Sequence, residues 1–326
     1  MSNPMQGFDP RWTSPEHYII GITKEIWEDR NIATLHHYYA ADMPVRTPGG
    51  LTLGNQGVIA ATMATLSEFP DRTLLGEDVI WSDDADGGFL SSHRILTTAT
   101  HAREGVFGPA TGKRLTYRVV ADCAARANVI HDEWLIRDQA AIVRQMGWEP
   151  KGFAADQIAR EGGPARCGRP FTPAMDVQGG YRGTGNDHPV GQRYAAILTG
   201  IMGADMAVIP REYDRAVQLE LPGGVTAHSH GAADHFWMGL RAAFPSATFA
   251  IHHRIGREDA MLPPRAAIRW SLTGKHDGWG SFGPPTGAEV HVMGICHVEF
   301  GPWGIRREFV LIDETAVWKQ ILLKTG

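Results

Sequence analysis

The pattern Phe-Gly-Pro-Ala-Thr-Gly beginning at Phe107 returns as Phe-Gly-Pro-Pro-Thr-Gly at Phe282, an offset of 175 residues. The offset holds without a gap through Ile130 and Ile305, Glu133 and Glu308, Asp138 and Asp313, Ala141 and Ala316, and Gln145 and Gln320. Upstream it joins Phe69-Pro70 to Phe244-Pro245, Arg94 to Arg269, His101 to His276 and Tyr38 to Tyr213. The Pro-Gly-Gly at 48–50 returns at 222–224, so one residue is missing from the second copy near there. A register kept through most of each half is the mark of duplication. Two copies are too few to stack as a solenoid, so each must close its own core. A length of 326 residues suits two domains of ~150 each. The expected division is 1–150, a Gly- and Pro-rich linker over 151–191 that wraps on a domain surface, and 192–326.

Within each copy the apolar period changes once. Ser14-Pro15-Glu16 reads as a helix start, with Ile19, Ile22 and Ile26 as the inward stripe. A second helix is expected over about 55–68, stopped by Pro70. From Thr73 the period falls to two, predicting strands at 73–81, 88–101, 114–124 and 128–138. The second copy predicts helices near 192–205 and 231–243, then strands near 246–255, 264–276, 288–300 and 303–313. Long sequential strands on short loops should pair antiparallel. Helices first and a curved sheet after is an α+β plan, with a concave pocket between the layers.

Composition excludes several classes. A net charge of −5 gives no basic face for nucleic acid and no polybasic membrane anchor. The first residues have neither a basic nor an apolar region of a secretory signal, and no stretch approaches a membrane span. Cys123, Cys167 and Cys296 are distant and odd in number, which speaks against a disulfide framework and for a reducing, cytoplasmic setting.

The run from Thr98 to Arg114 contains Thr-x-Thr-His and then the Pro109-Ala110-Thr111-Gly112 turn; a strand ending at Asp122 follows, then Glu133-Trp134 and Asp138. This pattern resembles the SnoaL-like polyketide cyclases of the nuclear-transport-factor-2-like superfamily. The family's Glu-His-Trp is interrupted, since no His stands between Glu133 and Trp134; His131 lies two positions before Glu133. The second copy keeps His276, Pro285-Thr286-Gly287, Glu308 and Asp313, but has His297 for the Asp and Phe309 for the Trp. The resemblance implies two tandem cone-shaped domains of cystatin-like plan, acid/base chemistry by an Asp and a His, and no cofactor. Related single domains often dimerise, so it also implies a homodimer or a pseudo-dimer within one chain. The superfamily includes noncatalytic binders, so fold alone does not fix function.

Asp122 and His101 are therefore the expected catalytic pair. A carboxyl in an apolar strand is costly to ionise, and its pKa drifts toward the range of a useful base. Alternation puts Asp122 with Val120 on one face and Ala121 with Cys123 on the other. The alternative for Asp122 is a structural pair with Arg94 or Arg118. His93 shares the parity of His101 and is the third catalytic candidate. Arg94 and Arg269 either bind a substrate carbonyl or pair with Glu133 and Glu308. Trp27, Tyr38, Glu133, Trp134, His276 and His297 complete the expected substrate-contacting set, with core packing the alternative for the aromatics. His228, His230 and His235 have a metal-ligand look, but the matching segment of the first copy has no ligands, so no metal is expected. The expected function is a cofactor-free enzyme acting on a small carbonyl or hydroxylated compound as a cyclase, isomerase, dehydratase or hydrolase. A noncatalytic binding or scaffold protein is the alternative.

Overall fold

A computed structural model describes residues 3–326. The chain separates into two compact units. The first comprises residues up to 137 with 141–148 and 171–185; the second comprises 138–140, 149–170 and 186–326.

In the first unit, α1 (Pro15–Thr23) starts where the Ser14 side chain accepts the His17 N–H, with Pro15 in the first turn. A π turn over Lys24–Glu28 extends it. After α2 (Leu35–Tyr38) come β1 (Pro44–Thr47), β2 (Gly50–Leu53) and α3 (Gly54–Glu68). The long strands are β3 (Thr73–Asp83), β4 (Phe89–Thr100), β5 (Arg114–Arg126) and β6 (Val129–Arg137), followed by α4 (Gln139–Met146). They form a meander of sheet order β2-β1-β6-β5-β4-β3. The expected antiparallel pairing holds among the four long strands. The short β1 joins β6 in parallel, through Val45 opposite Glu133, a pairing with no local signal in sequence. Register shifts at Gly76/Asp78 and Ala124/Ala125 add twist and curve the sheet. Tyr18, Ile19, Ile22 and Ile26 bury against Ala121, Cys123 and Ala125, so that parity of β5 faces the helices.

The second unit repeats the plan. It has α5 (Pro150–Arg160), α6 (Pro189–Met202), α7 (Val208–Glu212), β7 (Tyr213–Leu221), β8 (Val225–His228) and α8 (His230–Ala243). The long strands β9 (Thr248–Arg257), β10 (Arg265–Lys275), β11 (Glu289–Gly301) and β12 (Gly304–Ile312) lead to α9 (Glu314–Thr325). The sheet order, β8-β7-β12-β11-β10-β9, is that of the first unit. Each unit is thus helices packed on a curved, largely antiparallel sheet, in tandem.

The 151–191 stretch is ordered by both units in turn. Helix α5 buries Phe153, Ala154 and Ile158, and Glu161 just beyond it accepts from Lys319 of α9 at 2.8 Å. Residues 171–185 belong to the first unit: the Phe171 N–H donates to the Pro48 carbonyl, and the Tyr181 N–H to Asp132. The buried Arg46 pairs with both Asp132 and Asp176.

Candidate functional site

Strand parity decides which side chains see the space between helices and sheet. In the first unit the inward positions are His93 and Ile95 on β4, Val119, Ala121 and Cys123 on β5, and Glu133, Leu135 and Arg137 on β6. Ile19, Ile22 and Thr23 of α1, Trp27, and Val58, Ala61, Thr62 and Thr65 of α3 close the other side. These residues, with Tyr39 and Arg72, enclose a mostly apolar cavity of about 180 Å³. Small residues at 61, 121 and 123 leave the room.

Glu133 and His93 stand among the polar groups of this mostly apolar wall. Glu133 is buried, and burial pushes its carboxyl up to about 7, although the Tyr39 hydroxyl that donates to it favours the ionised form. His93 is also buried; burial and the neighbouring Arg94 hold it down to about 3, so its ring is neutral. Its Nε2 is shielded and has no hydrogen-bond partner among the described residues. Trp27 donates to Thr62 Oγ1 at 3.2 Å and sets its ring edge-on to Tyr39, 6.2 Å between centroids. Burial and Glu133 raise the Cys123 thiol well above its ordinary value, which leaves it a poor nucleophile.

The expected pair Asp122 and His101 does not line this cavity. Asp122 is buried, but it points to the sheet face opposite Ala121 and Cys123. Alternation had correctly put Asp122 with Val120; the helices cover the other parity. His101 lies beyond the end of β4 and is fully used by structure. Its Nδ1 meets Thr111 Oγ1 at 3.1 Å and its Nε2 meets Glu68 Oε1 at 3.1 Å. Glu68 also accepts the Val106 and Phe107 N–H groups. The motif residues thus clamp the 107–112 turn, where Gly108 and Gly112 take positive φ. His276 meets Thr286 in the same way at 3.0 Å, with Gly283 and Gly287 at positive φ.

Of the remaining expected contacts, His93, Trp27 and Glu133 line the cavity. Arg94 lies on the opposite face and pairs with Glu77 at 3.2 Å rather than with Glu133. Trp134 lies on that face too, under the Arg46 guanidinium at 4.5 Å. Tyr38 donates to Glu25 outside the cavity, at 3.0 Å. Its counterpart also changes: Tyr39 bridges to Ile130 as Tyr213 pairs with Ile305, so Tyr39 and not Tyr38 corresponds to Tyr213. Tyr39, Arg72 and Arg137 were not anticipated.

In the second unit Arg269 and His297 are buried on the sheet face away from the core residues Ile268, Trp270, Cys296 and Val298. The space between helices and sheet is occupied. Trp237 of α8 and Trp270 of β10 stand at the positions of Thr62 and Ile95, both fully buried, 6.2 Å between ring centroids. Gly294 stands where the first unit has Val119, and a Cβ there would lie 2.2 Å from the Trp270 ring. Glu308 is also pushed up to about 7 by burial, but Tyr194 and Tyr213 donate to one oxygen at 2.8 and 2.9 Å, and Trp237 reaches the other at 3.4 Å. His230 donates to the Tyr213 carbonyl at 2.9 Å, while His228 and His235 are exposed. Among the described residues no group of three or more His, Cys, Asp or Glu side chains is arranged to hold a metal, and no helix is long and apolar enough to cross a membrane.

Residues 18–146 match the family model of the SnoaL-like polyketide cyclases. Similar solved structures include wild-type IdmH from Streptomyces antibioticus, 23% identical, covering 41% of this chain and 99% of its own, TM-score 0.37. TsrD from Streptomyces laurentii is 16% identical over 43% of this chain and 98% of its own, TM-score 0.37. A SnoaL-like polyketide cyclase from Agrobacterium tumefaciens is 19% identical over 41% and 98%, TM-score 0.33. No curated protein sequence matches the chain.

Proposed function

We propose, for a chain that resembles the SnoaL-like polyketide cyclases, that the first unit is a cofactor-independent acid/base enzyme acting on a small carbonyl compound. The observation that carries this reading is Glu133: a buried carboxyl at the wall of an apolar cavity, raised to about 7 by burial. Such a group is a competent base near neutrality, where an ordinary carboxylate is too weak.

The Glu133 carboxylate takes a proton from a carbon beside the carbonyl. The C–H electron pair moves into the carbonyl, and negative charge gathers on its oxygen. His93, held neutral, offers an N–H to that enolate oxygen without first having to lose a proton. In an unsaturated substrate, return of the proton from Glu133 to the far carbon of the dienolate isomerises the double bond; alternatively the enolate carbon attacks a second carbonyl, closing a ring, and Glu133 gives its proton to the new alkoxide. Trp27 and the apolar wall limit the water around the enolate. The second unit, whose equivalent space is filled, serves as scaffold.

The test is deuterium uptake from solvent beside the carbonyl in a panel of small cyclic ketones, followed by proton NMR. Exchange should follow an ascending pH limb centred near 7 as Glu133 ionises. Glu133→Gln should slow it by roughly 10²- to 10⁴-fold, the usual worth of a positioned base. Asp122→Asn should leave it within a small factor. Full exchange in the Gln variant would overturn the assignment.

A further inference from the structure

Arg72 and Arg137 both line the cavity, at the end where β3 begins and β6 finishes. The Nε of each is shielded from solvent and unpartnered. Neither guanidinium forms a hydrogen bond or ion pair with any described residue. Burial and the neighbouring Arg137 lower Arg72 to about 10, with Tyr117 opposing. Arg72 remains cationic at neutral pH. Glu133 is no internal counterion, because it lies four residues from Arg137 along β6, about 13 Å of strand.

Two like charges beside an apolar space are costly, and the fold does not demand them. At the same offset the second unit has Ala247 and Ile312, one residue before β9 and at the end of β12, as Arg72 and Arg137 stand to β3 and β6. The arginines accompany the open cavity and are replaced where tryptophans fill it.

We propose that Arg72 and Arg137 form an anion-binding end of the cavity, and that the ligand is a small, largely apolar carboxylic acid. Its carboxylate lies between the two guanidinium groups, which offer planar, paired N–H donors suited to that geometry. Its apolar body lies along Ile95, Val119 and Leu135, toward Glu133 and His93. This deepens the proposed function and rests on the cavity being the substrate site, but not on the proton-transfer chemistry.

Binding without turnover separates the two ideas. Calorimetric titration of the full chain with 2-naphthoate and with neutral 2-naphthamide compares charge at nearly constant shape. The acid should bind tighter by roughly 10- to 100-fold, as expected for one or two charged hydrogen bonds. Arg72→Met and Arg137→Met should each reduce that preference and leave amide binding close to wild type, which also reports an intact cavity. Arg72→Lys and Arg137→Lys, which keep the charge, should retain part of it. Equal binding of acid and amide by the wild type would overturn the proposal, as would a preference that survives in both Met variants. Loss of the preference while ketone exchange still depends on Glu133 would leave the acid/base reading standing.

Discussion

The two units place one carboxyl at the same strand position and use it in opposite circumstances. Glu133 borders a cavity and keeps a single tyrosine donor; Glu308 is held by two tyrosines and a tryptophan. Strand order, the parallel pairing of β1 with β6 and of β7 with β12, and the histidine–threonine turn clamp are the same in both. Among the differences is bulk at facing positions, Thr62/Trp237, Ile95/Trp270 and Val119/Gly294. The difference teaches that register and turn chemistry maintain this scaffold, while a few side-chain volumes decide whether it encloses space.

Exchanging those volumes is the most forceful way to break the contrast. Trp270→Ala removes a fully buried ring and should destabilise the second unit by ~3–5 kcal/mol. The reciprocal Ile95→Trp with Val119→Gly, which supplies the room Gly294 gives Trp270, should fill the first cavity. Strain should hold the stability loss to ~1–3 kcal/mol, with loss of 2-naphthamide binding. Denaturant melts and calorimetry check both halves. Undiminished amide binding by the filled variant would mean the ligand sits elsewhere.

Much of this scaffold was legible in sequence. Helical and period-two patterns placed α1, α3, α6 and α8 and all eight long strands within a few residues, because both patterns are local, while α5 fell in the stretch read as a linker. The short β1 and β7 were not legible, since four to nine residues joining a distant strand in parallel leave no periodic trace. The site was half legible. Parity separated Asp122 from Ala121 and Cys123, but both sets are compatible with burial, and only tertiary packing selects the face the helices cover. The resemblance drew attention to His101, whose ring nitrogens meet Thr111 and Glu68 at a turn. A signal was nevertheless present in the repeat: His93, Arg72 and Arg137 face Ile268, Ala247 and Ile312 at the constant offset. Polar residues in one copy and apolar ones in the other mark positions that the fold does not require.

The paired carboxyls give a graded, pH-dependent comparison. The ordinary value of Glu308 is 4.5 and its folded value is about 7. Below 4.5 folded and unfolded chains both carry the proton; between 4.5 and 7 only the folded chain does. Stability should therefore fall as pH rises through this window, by ~3 kcal/mol for a fully buried group, and level off above it. Glu308→Gln should flatten that part of the profile. Glu133→Gln should flatten a smaller part, because the cavity admits solvent to its carboxylate. Urea melts at several pH values, read by near-ultraviolet circular dichroism, would rank the two. Equal flattening would indicate that the first cavity is as sealed as the second unit's core.

The smallest contrast lies in the turn clamps. His101 is fixed from both ring nitrogens, by Thr111 and Glu68. His276 is held through Nδ1 by Thr286; Ala243 stands where Glu68 would be, and the His276 Nε2 has no side-chain partner among the described residues. His101→Ala should cost ~1–3 kcal/mol by leaving the Glu68 carboxylate short of a buried donor; His276→Ala should cost ~1 kcal/mol, the worth of one hydrogen bond. Because His101 is outside the cavity, its loss should leave deuterium exchange by the folded fraction within a small factor of wild type. A stable His101→Ala protein that had lost exchange would return this histidine to the chemistry. A destabilised but active one would show that the most recognisable motif in the chain serves the turn, while the chemistry resides in the strand positions facing the cavity.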